Sequence, residues 1–286
     1  MKGIYWLASY PKSGNTWFRI FLSNLLSGKD EPVDINNMPE IPIASNRHIF
    51  DKLIGYSSVN LTLDEIDDLR PDIYRKYARA NEDAKFLKIH DAYTRLICGE
   101  RLLPYDDSLA AIYFIRNPLD VAVSFAFHSR ISMDEAVDKI CADGLTLCGI
   151  DTVSSSQYRQ IIMSWSKHVE SWTQQIDIDI HVMRFEDMKN RPLETFAHAV
   201  DFLGMDDKLD RVEKAVDFSD FKITKAQEEK SGFKERPSKV KSFFREGETA
   251  SWKKHLTMQH IQKIIDVNRN VMMRFGYLTG DGEIIE

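Results

Sequence analysis

The sequence predicts an α/β fold: a single P-loop-like domain with a central parallel sheet flanked by helices. Three observations carry this expectation. An apolar strand-like run from Ile4 to Tyr10 breaks into the polar turn Pro11-Lys12-Ser13-Gly14-Asn15-Thr16-Trp17, and an amphipathic stretch from Phe18 to Leu26 follows. A second run, Leu109 to Ile115, is continuously apolar, as a strand buried on both faces requires, and ends at Arg116-Asn117-Pro118. Strand-like and helical patterns then alternate through 286 residues that are 43% hydrophobic, long enough for one α/β domain with a substantial core.

The first turn has the layout of an anion site. A strand that ends in a short polar loop and restarts as a helix presents unpaired backbone N–H groups at the helix N-terminus, where the macrodipole also favours negative charge. Gly14 lets the backbone approach a ligand, Lys12 adds a point charge, and Ser13 and Thr16 add hydroxyls. The order differs from the G-x-x-x-x-G-K-[ST] loop of nucleoside triphosphatases, since no glycine lies five residues before Lys12 and Gly14 follows it. The bland alternative is an ordinary strand-to-helix turn with a solvated lysine.

After the second strand, Pro118 suits a first helical turn, and Leu119, Val121, Ala122, Phe125 and Ala126 form an apolar face. Asp120 and Ser124 lie four residues apart on that helix and so share a face, and Arg116 stands at the strand end with a planar fork of donors suited to phosphate. In Lys85-Phe86-Leu87-Lys88-Ile89-His90-Asp91 the alternation sends Lys88 and His90 to the same side. A histidine at a strand end of an open α/β sheet lies where ligands bind. A late block, Phe243 to Lys253, follows a stretch rich in Lys, Glu and Ser.

Taken together, Y-P-K-S-G-N-T-W, I-R-N-P-L-D-V-A-V-S-F and the late R-E-G-E-T-A-S-W-K resemble the 3′-phosphoadenosine 5′-phosphosulfate (PAPS)-dependent sulfotransferases, from Ile4 to about Gly276. The resemblance implies PAPS as sulfuryl donor and no metal. It assigns Lys12, Ser13, Gly14, Asn15 and Thr16 to the 5′-phosphosulfate end, Trp17 to adenine stacking, and Arg116 and Ser124 to the 3′-phosphate. Arg245, Glu246 and Gly247 would complete that pocket, and Ser219 and Phe221 match a nucleotide segment. A K-x-H element makes His90 the general base and Lys88 a helper, while Lys12 faces the leaving phosphate. This chain departs from the pattern at Ala250, where a second glycine is expected, at Phe185, which replaces a tyrosine, and at Ser219, which replaces a threonine.

The residue types suit the chemistry. An acceptor hydroxyl is a poor nucleophile near neutral pH, and a histidine with an ordinary pKa of about 6.5 can take its proton. A positioned cation and backbone N–H groups stabilise charge on the departing phosphate. Two rivals remain: a P-loop kinase, which the glycine order disfavours, and a non-catalytic nucleotide-binding protein.

Whole-chain properties bound the partners. Lys plus Arg is 38 against 44 for Asp plus Glu, a net charge of −6, which disfavours nucleic acid. Cys98, Cys141 and Cys148 lack metal-site spacing and suggest a reducing compartment. The apolar run after Lys2 is too short for a signal or spanning segment, so a cytoplasmic protein without membrane attachment is expected. The acceptor is expected to be a small molecule or natural product carrying a hydroxyl, with phenol, sugar and alcohol all open. The dimerisation element of the cytosolic family survives only partly, as Lys253, Thr257, Met258 and Gln262, so a homodimer is left open. Residues 29–63, 129–156 and 222–241 are expected to be variable loops, the last a mobile lid because it is charged and poor in apolar residues. His168 reads as a surface or structural helical histidine.

Overall fold

A computed structural model of the chain describes all residues except 1, 40, 81, 149–155, 206–207, 237–239, 246 and 286. The strands are β1 (Ile4–Ser9), β2 (Lys85–Ile89), β3 (Ser108–Ile115), β4 (Thr146–Leu147), β5 (Gln160–Ile161) and β6 (Ile180–Arg184). The helices are α1 (Asn15–Ser27), α2 (Arg47–Ile54), α3 (Leu63–Arg79), α4 (Pro118–Ser129), α5 (Met133–Ile140), α6 (Trp165–Thr173), α7 (Phe185–Asn190), α8 (Pro192–Phe202), α9 (Leu209–Phe218), α10 (Phe221–Ser231) and α11 (Met258–Arg274). A central sheet runs in the order β2-β1-β3-β6, as the α/β class predicts, and β4 and β5 form a separate antiparallel pair.

The chain divides into two compact units, each drawn from three stretches. The first takes Met1–Tyr10, Ile41–Tyr113 and Lys139–Val182. Here β1 pairs in parallel with β2, from Ile4 opposite Lys85 to Ala8 opposite Ile89. Ile4, Trp6, Leu7 and Ala8 are fully buried, which explains why the run lacks the polar alternation of a one-sided strand. On the outer edge of β2, Lys88 donates its N–H to Pro42 and accepts from the Ala44 N–H at 2.7 Å, so a short stretch of chain covers the strand edge.

A buried ionic network holds the far end of β2. Arg70, on α3, is fully buried and donates to Asp91 at 2.6 Å, to Asp67 at 3.2 Å and to the Tyr74 hydroxyl. The other Asp91 oxygen accepts the Ile161 N–H at 2.8 Å, and Trp172 donates to the Asp91 carbonyl. His168 lies beside this network on α6, buried rather than on the surface. Its Nε2–H donates to the His90 carbonyl at 3.0 Å, and its Nδ1 accepts from the Tyr113 hydroxyl at 2.8 Å. Both ring nitrogens are thereby committed, and burial pulls its pKa down to about 4.

The second unit takes Pro11–Glu40, Phe114–Asp138 and Met183–Glu286. Its core stacks α1 on α8 and α9, with the Phe21 and Phe196 rings 4.4 Å apart and Phe18 5.1 Å from Phe114. Helix α4 opens with Pro118 in its first turn, as the sequence predicts, and the structure adds an Asn117 cap on the Leu119 N–H.

The expected variable stretches acquire more structure than their composition suggests. Within 29–63 lie α2 and the start of the region leading to α3, which opens with a capping box between Thr62 and Glu65. Within 129–156 lies α5, while 149–155 fall outside the described residues. The span expected to be a lid, 222–241, is helical up to Ser231, and residues 237–239 are outside the described set. Charge counting missed this helix because its inward side is polar: Thr224 and Glu228 are buried, and Phe233 just beyond packs with Ile20, Ile35 and Phe244.

Two measurements check the first unit. Asp91→Ala leaves the Arg70 guanidinium buried without its closest carboxylate and is expected to cost about 3–5 kcal/mol in chemical denaturation. His168 is neutral when folded and ordinary when unfolded, so its contribution is fully present above pH about 6.5 and is lost as pH falls toward about 4, where the unfolded chain takes up the proton first. The loss is roughly 3 kcal/mol across that window. A His168→Gln variant is expected to show a correspondingly flatter stability profile between those pH values.

Candidate active site

In the second unit the three sequence blocks assemble around one buried cation. The polar turn reverses sharply: Lys12 sits at φ 74° and Gly14 at φ 108°, so two residues take the left-handed backbone before α1 begins. Gly14 is the N-cap and offers no side chain to the first helical amides, and the first turn holds no acidic residue. A side chain at Gly14 would be strained by its φ and would bring a Cβ to 3.0 Å from the Phe185 ring. The turn therefore leaves the start of α1 without a side-chain cap, the geometry of an anion site.

Arg116 ties the blocks together. Its guanidinium donates to the Glu248 carbonyl at 2.8 Å and to the Lys12 carbonyl at 3.4 Å, and lies 4.2 Å from the centroid of the Phe185 ring. Phe185, where the resemblance expected a tyrosine, serves here as the platform for the arginine and as the wall against Gly14. Burial pulls the Arg116 pKa down, and Arg245 adds to this, while Asp120, Glu186 and Tyr277 oppose it.

The late block is pinned from α4. Asp120, buried, accepts from the Ala250 N–H at 2.8 Å, the Ser251 hydroxyl at 2.9 Å and the Trp252 N–H at 3.1 Å. Ala250 stands at φ 57°, so the position expected to be glycine keeps the glycine conformation, held there by Asp120. Gly247 takes φ 61°, and a Cβ there would fall 2.4 Å from the Phe221 ring. Phe221 thus packs directly under this turn. Arg245 lies 3.8 Å from the Phe127 ring centroid. Glu246, assigned by sequence to the same pocket, lies outside the described residues.

The remaining assigned residues divide. Lys12 Nζ lies 3.3 Å from His128 Nδ1 and 4.6 Å from the Phe243 ring centroid. Ser124 is the one half-buried position in a stretch of α4 otherwise buried from Pro118 to Ala126. Asn15 is buried and Thr16 half-buried in the first turn of α1. Trp17 joins the aromatic core, with Phe196 at 5.5 Å and Phe185 at 6.0 Å, which favours packing over an open stacking face. Ser219 is fully buried and its hydroxyl donates to the Val216 carbonyl at the end of α9, so the structure gives it a helix-end role.

Two buried donors test the fit to an anionic nucleotide. Ser13 Oγ and Arg116 Nε are both buried without a hydrogen-bond partner. A buried unpaired donor costs about 1–3 kcal/mol, and a phosphate or sulfate oxygen removes that cost. With the uncapped helix terminus, these groups fit a dianionic ligand.

In the first unit, His90 is half-buried at the end of β2. Its Nδ1 lies 2.8 Å from the Ser9 carbonyl, which can only accept, so the neutral ring carries its proton on Nδ1 and presents Nε2 as the basic nitrogen. Ser9 Oγ stands 3.1 Å from the same nitrogen, and His168 fixes the His90 carbonyl from behind. Lys88 is half-buried two residues earlier.

Several participants escaped the sequence reading. Phe127 and His128 follow Ser124 within one turn of α4, and that spacing was the available signal. Glu228 had none, since it reads as one charge among many. It is buried on α10 and accepts the Phe243 and Phe244 N–H groups at 2.7 and 2.9 Å and the Ser242 hydroxyl at 3.0 Å, fixing the chain just before Arg245.

Comparison with known proteins agrees with this arrangement. A family model described as a sulfotransferase domain matches residues 4–276. Sulfotransferase 2A2 of Rattus norvegicus is 24% identical over 278 residues, covering 94% of this chain and 84% of the relative. The flavonol 3-sulfotransferase of Flaveria bidentis is 25% identical over 280 residues, covering 90% and 78%. Among solved structures, mouse sulfotransferase SULT7A1 complexed with PAP superposes with a TM-score of 0.60 at 16% identity, covering 95% of this chain and 84% of that one. Retinol dehydratase in a complex with retinol and PAP gives 0.63 at 17% identity, covering 94% and 81%. The structural matches bear on the fold.

Arg116→Ala is expected to weaken binding of 3′-phosphoadenosine 5′-phosphate (PAP) by about 2–4 kcal/mol, measured by calorimetry, because it removes a charge-assisted donor from a buried site.

Proposed function

Because the chain belongs to the sulfotransferase domain family, we propose that it moves the sulfuryl group of PAPS to the hydroxyl of a small-molecule acceptor, with His90 as general base. The observation that carries this reading is the Nδ1–H of His90 held on the Ser9 carbonyl at 2.8 Å, which leaves Nε2 as the nitrogen able to take a proton. The acceptor oxygen forms a bond to sulfur as the bond from sulfur to the bridging phosphate oxygen breaks. The acceptor proton passes to His90 Nε2 and then to solvent, and PAP leaves.

The other roles follow from the donor-binding unit. PAPS, when bound, supplies the activated sulfuryl group. Lys12, Ser13 Oγ and the amides at the start of α1 would hold its 5′ end, and Arg116, Ser124, Arg245 and Gly247 its 3′-phosphate. Lys12 offsets charge on the leaving phosphate, and Lys88 assists at the transferring group. As in phosphoryl transfer, positioning and electrostatics suffice without a covalent intermediate.

The whole chain, residues 1–286, acts in this reading as one sulfotransferase domain, supported by a family match that spans 4–276. A cytoplasmic site of action is supported by relatives named cytosolic sulfotransferases. Among the described residues no helix is long and apolar enough to cross a membrane. The small-molecule acceptor is supported by relatives whose names and complexes carry flavonol, retinol and androsterone.

Calorimetric titration is expected to give tight binding of PAP and none of ATP with magnesium; the reverse result would make the chain a kinase. His90→Ala is expected to lose roughly two to four orders of magnitude in turnover while binding PAP normally. Lys12→Ala is expected to lose turnover and weaken PAP binding as well, because the phosphate charge persists after transfer. Across phenols of falling pKa, only the His90 variant is expected to be partly rescued.

A further inference from the structure

Two cations of the second unit rest against one turn of α4. Phe127 and His128 stand in the last turn of that helix, just before its C-cap at Arg130. The Arg245 guanidinium lies 3.8 Å from the Phe127 ring centroid, and Lys12 Nζ lies 3.3 Å from His128 Nδ1. The last turn of a helix carries the negative end of its macrodipole, which suits positive groups beside it. Ser124, assigned by sequence to the 3′-phosphate, is one turn before His128 and shares its side of α4.

Chemistry fixes the direction of the contact with Lys12. A lysine ammonium has three N–H donors and no acceptor, so the His128 nitrogen beside it accepts. A neutral imidazole that accepts at Nδ1 carries its proton at Nε2. This is the opposite tautomer to that of His90, whose Nδ1 faces a carbonyl.

A second wall confines the same ammonium. The Phe243 ring centroid lies 4.6 Å from Lys12 Nζ, a cation–π distance, and 6.1 Å from the His128 ring. Phe243 is itself held, because Glu228 accepts its N–H at 2.7 Å and the Phe233 ring packs 4.9 Å away. The backbone of Lys12 is set at φ 74° by the polar turn. Ordering a long, flexible lysine stem on a ligand costs entropy, and contacts at both the root and the tip of Lys12 remove part of that cost before the ligand arrives. With three donors, an ammonium can keep a bond to histidine while it also donates to a phosphate oxygen.

We infer that His128 is a positioning residue whose Nδ1 lone pair holds the Lys12 ammonium in place for the 5′-phosphate of the donor. The inference rests on the sulfotransferase reading above and adds to it a residue that acts through Lys12.

The test measures PAP binding by calorimetry for the wild-type protein, His128→Leu, His128→Asn, Lys12→Ala and the double variant Lys12→Ala/His128→Leu. His128→Leu, which fills the space without an acceptor, is expected to weaken binding about five- to ten-fold, the range that one hydrogen bond commands. His128→Asn, whose side-chain oxygen takes the place of Nδ1, is expected to bind within about two-fold of wild type. Once Lys12 is alanine, the His128 substitution is expected to cost nothing further, because a residue that acts through another has no effect without it. Three results would each overturn the inference: wild-type or tighter binding by His128→Leu, an Asn variant as weak as the Leu variant, or the same fold-loss with and without Lys12. A readout on unaltered protein covers a variant that does not fold. Nitrogen NMR at about pH 8, where ordinary histidines are neutral, is expected to find His128 protonated at Nε2, and a proton at Nδ1 would overturn the inference as well. A wild-type protein that fails to bind PAP would instead overturn the sulfotransferase reading, and the role of His128 with it.

Discussion

The second unit depends on one constraint: a buried guanidinium, Arg116, must be satisfied without a carboxylate of its own. It reaches the backbone carbonyls of Lys12 and Glu248 and stacks on Phe185, and the placement of three distant pieces of chain follows from those contacts. Carbonyls and a ring face are weaker partners than an anion in a desolvated site. The buried Nε and the downward pull on its pKa express the same deficit.

The surrounding carboxylates are occupied elsewhere, which preserves that deficit. Asp120 is used by three donors of the late block, and Glu186 accepts from the Asn117 N–H and the Tyr277 hydroxyl. Burial pushes the Glu186 pKa up, so its charge is itself costly. Had either carboxylate chelated Arg116, the ligand would have to displace it. Glu228 performs a parallel task one step away by holding the backbone before Arg245.

In the first unit the logic is tautomeric. A backbone carbonyl accepting from one ring nitrogen of a histidine keeps the proton there and the lone pair on the other nitrogen wherever the ring is neutral. The Ser9 carbonyl can serve because β1 and β2 are in register to Ala8 and Ile89, which sets Ser9 beside His90. The Arg70 and Asp91 network and the His168 bond to the His90 carbonyl then hold the residue from the opposite side.

Local chemistry determined much of this before any packing was known. The apolar runs at 4–10 and 109–115, the proline that opens α4, and the turn from Lys12 to Trp17 are dictated by short-range patterns, and each is found where the pattern puts it. Lys88 lies in β2 as the alternation expects, and His90 follows the strand by one residue. What the tertiary structure alone decided are the partnerships between residues far apart in sequence: Phe185 as the seat of Arg116, Asp120 and Glu228 as clamps, His168 as a buried support and not a surface group, and Trp17 and Ser219 as packed and capped residues. The helix over the first part of the stretch expected to be a loop has the same reason. A charged stretch reads as solvated from composition, but its burial depends on whether distant backbone donors come to meet its carboxylate, and the local sequence carries no term for that.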